Sequence, residues 1–171
     1  MNFEKCTGIS NAIFGYIALY VPVLQDLTVG GTYLKYNQVF SYKGLSLMLD
    51  SNLGLRKASF HYCSKIGTKS LEVVANSFSR TLEELVILRN CLDQCTQIND
   101  ESLLVLSKCS KLRRITINYC REFGDDALDI IAVSFPEIDY LNFRDCVLQC
   151  TFHAINRCCP KLKEINLSGD S

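Results

Sequence analysis

Ten cysteines and two histidines are the first residues in this chain of 171 to which chemistry could be assigned. Disulfide formation, metal ligation and nucleophilic catalysis are the three chemistries open to them. Cys91-x3-Cys95 and Cys146-x3-Cys150-x2-His153 approach the spacing of zinc ligands, but no paired C-x2-C knuckle accompanies them. His61 and Cys63 stand two apart on a predicted strand, where their side chains share a face. The sequence supplies neither a third group to orient that imidazole nor an oxyanion donor. Gly30-Gly31 is a lone pair at a strand end and suits a turn better than a phosphate. The expectation is therefore no catalytic residue, no metal and no cofactor.

The cysteines are explained instead by position. One phrase recurs at intervals of 24 to 31 residues: apolar, two free positions, apolar, one free position, apolar, two free positions, then often cysteine. It reads Leu55–Ala58–Phe60–Cys63, Leu112–Ile115–Ile117–Cys120 and Ile138–Leu141–Phe143–Cys146. Looser copies are Leu24–Leu27–Val29–Thr32, Leu82–Leu85–Ile87 and Leu162–Ile165–Leu167. A fixed period of this length marks a repeat array. Cys6, Cys63, Cys95, Cys120 and Cys146 hold one equivalent position, and Cys109 and Cys159 another. Free buried cysteine is a compact apolar filler with a weak donor, so free thiols and a reducing compartment are expected.

The elements that position these residues follow from the same register. The alternation at Ile115 and Ile117 puts both side chains on one face of a strand. Strands are predicted near residues 27–29, 58–60, 85–87, 115–117, 141–143 and 165–167, with helices between them. Leu128, Ile131 and Ala132 fall on one helix face. Pro22, Pro136 and Pro160 stop helices, and Thr68, Asp100, Asp125 and Thr151 suit N-caps. A strand and a helix this short bury each other only when neighbouring units stack. Tyr33–Asn37 and Cys91–Cys95 interrupt the register as five-residue insertions, which solenoids place in loops.

The pattern L-x-x-L-x-L-x-x-C, closed by C-x-x-L at Cys109–Leu112 and Cys159–Leu162, resembles the cysteine-containing leucine-rich repeats. These occur in F-box proteins and in a related F-box-less, AMN1-like group. Val21, Phe78 and Phe135 stand where the second cysteine is missing. The resemblance covers essentially the whole chain. It implies an α/β leucine-rich repeat solenoid, or horseshoe, with parallel strands on the concave face and helices on the convex face. Residues 1–171 would form a single array of about six to seven units. Asn2-Phe3 aligns with Asn142-Phe143, and the sequence ends just after Leu167, so we expect part of a longer array whose terminal caps are missing.

Composition agrees with a folded domain, being 48% apolar and 21% charged. Net charge is zero with no basic run, which argues against nucleic acid as the main partner. Residues 12–24 are apolar but are broken by Pro22 and too few to span a bilayer, so no membrane association is expected. Cytoplasm or nucleus is the expected location.

Solenoids bind partners on their concave surface. Lys57, His61, Arg114, Tyr119, Tyr140 and Arg144 are the candidate partner-binding residues there, because arginine and tyrosine are favoured at binding hot spots. Arg114 and Arg144, in adjacent units, are expected to grip one acidic segment together. The resemblance implies a non-enzymatic module like the substrate-recognition repeats of an F-box subunit of an SCF ubiquitin ligase. The partner would be a protein substrate or a regulatory protein, and an SCF adaptor only if an F-box lies outside this chain. The alternatives are an F-box-less scaffold or antagonist, or a ligand-binding or enzymatic repeat domain.

Overall fold

The computed structural model describes residues 1–6, 10–31, 37–48, 54–88, 98–120, 122–123, 126–146, 155 and 159–169. The fold is α/β. Seven parallel strands form one sheet: β1 (Asn2–Phe3), β2 (Asp26–Gly30), β4 (Lys57–His61), β6 (Glu84–Leu88), β7 (Arg114–Asn118), β8 (Tyr140–Asn142) and β9 (Glu164–Asn166), in that spatial order. All six predicted strands are present at their expected positions. Each lies beside the next unit in chain order, without a register shift. The helices α1 (Ala12–Tyr20), α2 (Tyr42–Leu45), α3 (Thr68–Phe78), α4 (Asp100–Leu106) and α5 (Ala127–Ser134) also pack in chain order, each against the next.

The alternation of the strands sets the core. Leu27 and Val29, Ala58 and Phe60, Leu85 and Ile87, and Ile115 and Ile117 are all buried. They share one cluster with the apolar stripes of the helices, including Phe14, Ile17, Leu71, Val74, Leu103, Leu128 and Ile131. The opposite strand positions, Thr28, Val86, Thr116 and Asn142, stay partly exposed.

Backbone bonds repeat with the same register. At each strand entry one carbonyl accepts two consecutive N–H groups from the next unit. Gln25 O serves Arg56 and Lys57, Arg56 O serves Glu83 and Glu84, and Glu83 O serves Arg113 and Arg114. Arg113 O and Asp139 O continue the series. Helix exits repeat as well. Val21 and Phe135 have nearly the same backbone angles, φ −129° with ψ 61° and φ −128° with ψ 69°, and each is followed by proline. A residue before proline is pushed out of the helical region, so the proline sets the exit.

Three expectations change. The N-cap of α4 is Asn99, not Asp100: Asn99 Oδ1 accepts from Ser102 N–H at 3.3 Å, and Ser102 Oγ accepts from Asn99 N–H at 3.2 Å. Asparagine reaches the N3 amide from the extended residue before the helix, whereas Asp100 is already helical. Gly67 likewise precedes α3, and Thr68 is its first helical residue, bonded through Oγ1 to Ser102 Oγ at 2.7 Å. Finally, a second parallel pair, β3 (Asn37–Ser41) with β5 (Cys63–Lys65), was not foreseen. Its first strand begins at Asn37, the last residue of the predicted Tyr33–Asn37 insertion. Asn11 ties it to α1, accepting from Ser41 N–H at 3.2 Å. The Cys91–Cys95 insertion, residues 32–36, and the cap positions Asp125 and Thr151 lie outside the described residues, as do Cys150 and His153.

Candidate binding surface

The uncovered face of the sheet presents three rows of side chains, one row per strand level. At strand entry the row reads Asp26, Lys57, Glu84, Arg114, Tyr140, Glu164. The residues just before it read Gln25, Arg56, Glu83, Arg113, Asp139, Lys163. Charges alternate in sign from strand to strand in both, at a spacing of about 4.8 Å. Lys57 Nζ lies 2.8 Å from Glu84 Oε1, and Arg56 holds Glu83 with Nε at 3.0 Å and Nη2 at 2.7 Å. The Arg56 hydrogen bonds keep the Glu83 carboxyl below the ordinary carboxylate range and raise the guanidinium in return. Arg114 and Lys163 flank Asp139 at 3.8 and 3.9 Å. Of these rows, the residues from Gln25 and Asp26 through Arg114 and Asp139 line an open cleft of about 310 Å³.

Arg114 also lies over the Tyr140 ring, its guanidinium carbon 4.2 Å from the centroid. Tyr140 in turn accepts from Asn142 Nδ2 at 3.3 Å. The structure thus brings together two of the six candidate residues, one strand apart, as a cation–π pair.

Lys57 lies on the same row two strands away and lines the same cleft as Arg114, whereas His61, Arg144 and Tyr119 are dispersed. His61 sits at the exit end of β4, with Nδ1 3.2 Å from Glu4 Oε1 but not aligned for a hydrogen bond. Arg144 pairs with Asp145 at 3.1 Å. Tyr140 is level with Arg114 in the register. Arg144 therefore lies four residues beyond Arg114's level, in the turn past the end of β8. Each of the two arginines faces an acid of its own. Tyr119 occupies the turn after β7 in a left-handed conformation, φ 60°.

The middle row carries a signal that the sequence reading missed. Asn2, Asn142 and Asn166 each accept, through Oδ1, from the N–H two residues on: Glu4 at 2.7 Å, Arg144 at 3.2 Å and Ser168 at 3.0 Å. These are the units with strands of only two or three residues. Thr28, Ser59, Val86 and Thr116 hold the same level in strands of five. An asparagine side chain that captures its own i+2 amide withdraws that amide from the ladder. Among the acids, Glu4, Asp139 and Asp145 were also missed. Only their placement beside basic residues one unit away could have revealed them.

At the exit turns, Lys5, Tyr62, Tyr119 and Asp145 all adopt positive φ, between 53° and 63°. Each immediately precedes a cysteine: Cys6, Cys63, Cys120 and Cys146. The left-handed residue turns the chain so that the thiol points back at strand carbonyls. Cys63 Sγ–H donates to His61 O at 3.4 Å and Val29 O at 3.7 Å. Cys146 Sγ–H donates to Ile117 O at 3.1 Å and accepts from Cys120 N–H at 3.4 Å. By the ladder register, Ile117 O is the acceptor that Arg144 N–H gives up when it turns to Asn142. The thiol replaces that missing donor. Among the described residues, Cys6, Cys63, Cys109, Cys120, Cys146 and Cys159 are not joined in disulfides. No described helix is long and apolar enough to cross a membrane, and no described group of three or more ligating side chains is placed to hold a metal.

No protein-family profile matches the chain, and no curated protein matches it significantly.

Proposed function

We propose that this chain is a leucine-rich repeat module of the cysteine-containing class, and that its sheet and helices form a solenoid with the sheet on the concave side. One observation carries the reading. In four units a left-handed residue directly precedes a cysteine at the same level of the sheet. Tyrosine twice occupies that position although the left-handed region costs such a residue about 1–2 kcal/mol. A position that takes this backbone in four units of the sheet, whatever its side chain, belongs to one repeated corner.

The module works by holding a protein partner on the uncovered sheet face and catalyses nothing itself. It serves as the substrate-recognition part of an SCF-type ubiquitin ligase, in cytoplasm or nucleus, where thiols stay reduced. Contact with the ligase adaptor requires an F-box outside these residues. Sequencing the transcript upstream of Met1 tests this, and a transcript without an F-box moves the reading to the F-box-less scaffolds.

The binding face is tested by capture of partners with the Tyr140→Ala, Arg144→Ala double variant. Each substitution should cost on the order of 1–2 kcal/mol of affinity with little loss of folding. Leu141→Ala, at a fully buried position, should instead cost roughly 2–5 kcal/mol of stability. Undiminished capture by the double variant places the contact elsewhere.

A further inference from the structure

The outer face of α1 differs from that of the helices that follow it. Outward positions on α3 are Lys69, Glu72 and Asn76, on α4 Glu101 and Leu104, and on α5 Asp129 and Val133. On α1 they are Tyr16, Leu19 and Tyr20, with Val23 in the next turn, and these four are 59 to 82% exposed. Tyr16 and Tyr20 stack with ring centroids 6.2 Å apart. Leu47, itself exposed, extends the patch: its Cδ1 lies 3.6 Å from where a side chain would stand at Gly15. Tyr42, with Lys69 Nζ 5.8 Å above its ring, forms a polar rim. Among the described residues, the other exposed large hydrophobics are only Met1, Leu104 and Val133.

A helix that is apolar on all sides is stable in water only when both faces are covered. The inner face of α1 is covered, since Phe14 and Ile17 are buried in the core. The outer face is not.

We propose that the outer face of α1 is a self-association surface, covered by the same face of a second copy of this chain. Two properties select that occupant. The first is charge. No Asp, Glu, Lys or Arg occurs between Cys6 and Gln25. A two-fold interface sets a face against itself, so any charge near the axis would meet its own like charge. Of these helices, only α1 offers an outer face free of that repulsion. A lipid surface fits less well, because helices that lie in the bilayer interface carry Lys or Arg on their polar side. The second property is area. Four largely exposed side chains with Leu47 offer on the order of 500 Å² per copy. Two copies bury about 1,000 Å², which reaches the lower bound of a specific interface and implies a concentration-dependent dimer.

Sedimentation velocity of the full chain over about 5 to 200 µM tests this. The expected result is a mass that rises from monomer toward dimer. Leu19→Glu with Val23→Glu should hold the chain monomeric, while Val133→Glu, an equally exposed change on α5, should leave the dimer intact. Tyr16→Ser with Tyr20→Ser removes apolar area without adding charge and should weaken the dimer at least about tenfold. Unchanged circular dichroism of the variants would show that folding is retained. A wild-type chain that is monomeric throughout overturns the proposal, as does a dimer that survives both α1 variants. A monomer that instead co-floats with neutral phosphatidylcholine vesicles also overturns it and assigns the face to lipid.

Discussion

His61 reaches Glu4 across Gly30: its Nδ1 lies 3.2 Å from the carboxylate although β2 runs between their strands. Gly30 is the level partner of His61. A side chain at Gly30 would stand 2.5 Å from His61 O and 2.8 Å from its Cβ. The missing side chain is what brings β2 close under the imidazole and joins the first unit to the third through their side chains.

Gly30→Ala should therefore be costly. The new methyl meets backbone, which cannot rotate away, so β2 and β4 must separate. We expect a loss of about 1–3 kcal/mol in chemical denaturation, the usual cost of overpacking. Gly54→Ala is the matched control. Nothing lies within 4 Å of its new Cβ and its φ is outside the left-handed region. It should be neutral or gain about 0.4–1 kcal/mol by stiffening the unfolded chain. Equal effects at the two glycines would show that the close approach at Gly30 carries no energy.

Cys146 should matter as a hydrogen-bonding group and not only as filler. Its thiol serves Ile117 O and receives Cys120 N–H. Cys146→Ala removes the thiol that serves both groups in a buried corner and should cost about 1–3 kcal/mol. Cys159, also buried, serves as the comparison in a different position of the repeat. Comparable urea midpoints for wild type and Cys146→Ala would show the corner to be satisfied without the thiol.

Strand positions were legible in the sequence because each depends on a local alternation repeated six times. Ile115 and Ile117 recur in step as Leu85 and Ile87 and as Ala58 and Phe60, so no unit had to be read alone. The β3–β5 pair was not legible, because Asn37–Ser41 follows no repeated phrase and its ladder depends on where α1 and α2 dock. The surface was only half legible. The register put Lys57, Arg114 and Tyr140 on one row, but it did not reveal which charges are already paired inside the chain. That depends on neighbours 25 to 30 residues away, such as Asp139 for Arg114 and Glu84 for Lys57, which are 25 and 27 apart.

The alternating row makes a further prediction about Glu84. It stands between Lys57 and Arg114 on adjacent strands. Glu84→Lys places three cations side by side, and like charges directly opposite are destabilising in a sheet. The side chains are partly exposed, so the loss should be on the order of 1 kcal/mol in dilute buffer. It should shrink toward zero near 1 M salt, where the screening length is about 3 Å. Glu84→Gln should cost less and depend less on salt. Denaturation midpoints of the three proteins at low and high salt test this, and a salt-independent loss would point to packing instead of charge.

Cys109 gives the chain a stability limit at high pH. Burial pushes its thiol up from an ordinary value of 9.0 to about 12, opposed by the nearby Lys108 charge. Between those values the unfolded chain releases the thiol proton and the folded chain retains it. The folded state then binds more protons, so stability must fall as pH rises. The contribution is fully present below pH 9 and is lost progressively up to about pH 12. A separation of that size corresponds to at most about 4 kcal/mol. Other groups titrate in the same range, so the measurement is a difference. Cys109→Val keeps the apolar contact and removes the ionisation. Its stability relative to wild type should be constant from about pH 6 to 8.5 and then rise steadily in its favour. At neutral pH the same thiol should also resist iodoacetamide far longer than the partly exposed Cys6. A pH-independent difference between Cys109→Val and wild type would mean that the thiol ionises as readily in the folded chain as in the unfolded one.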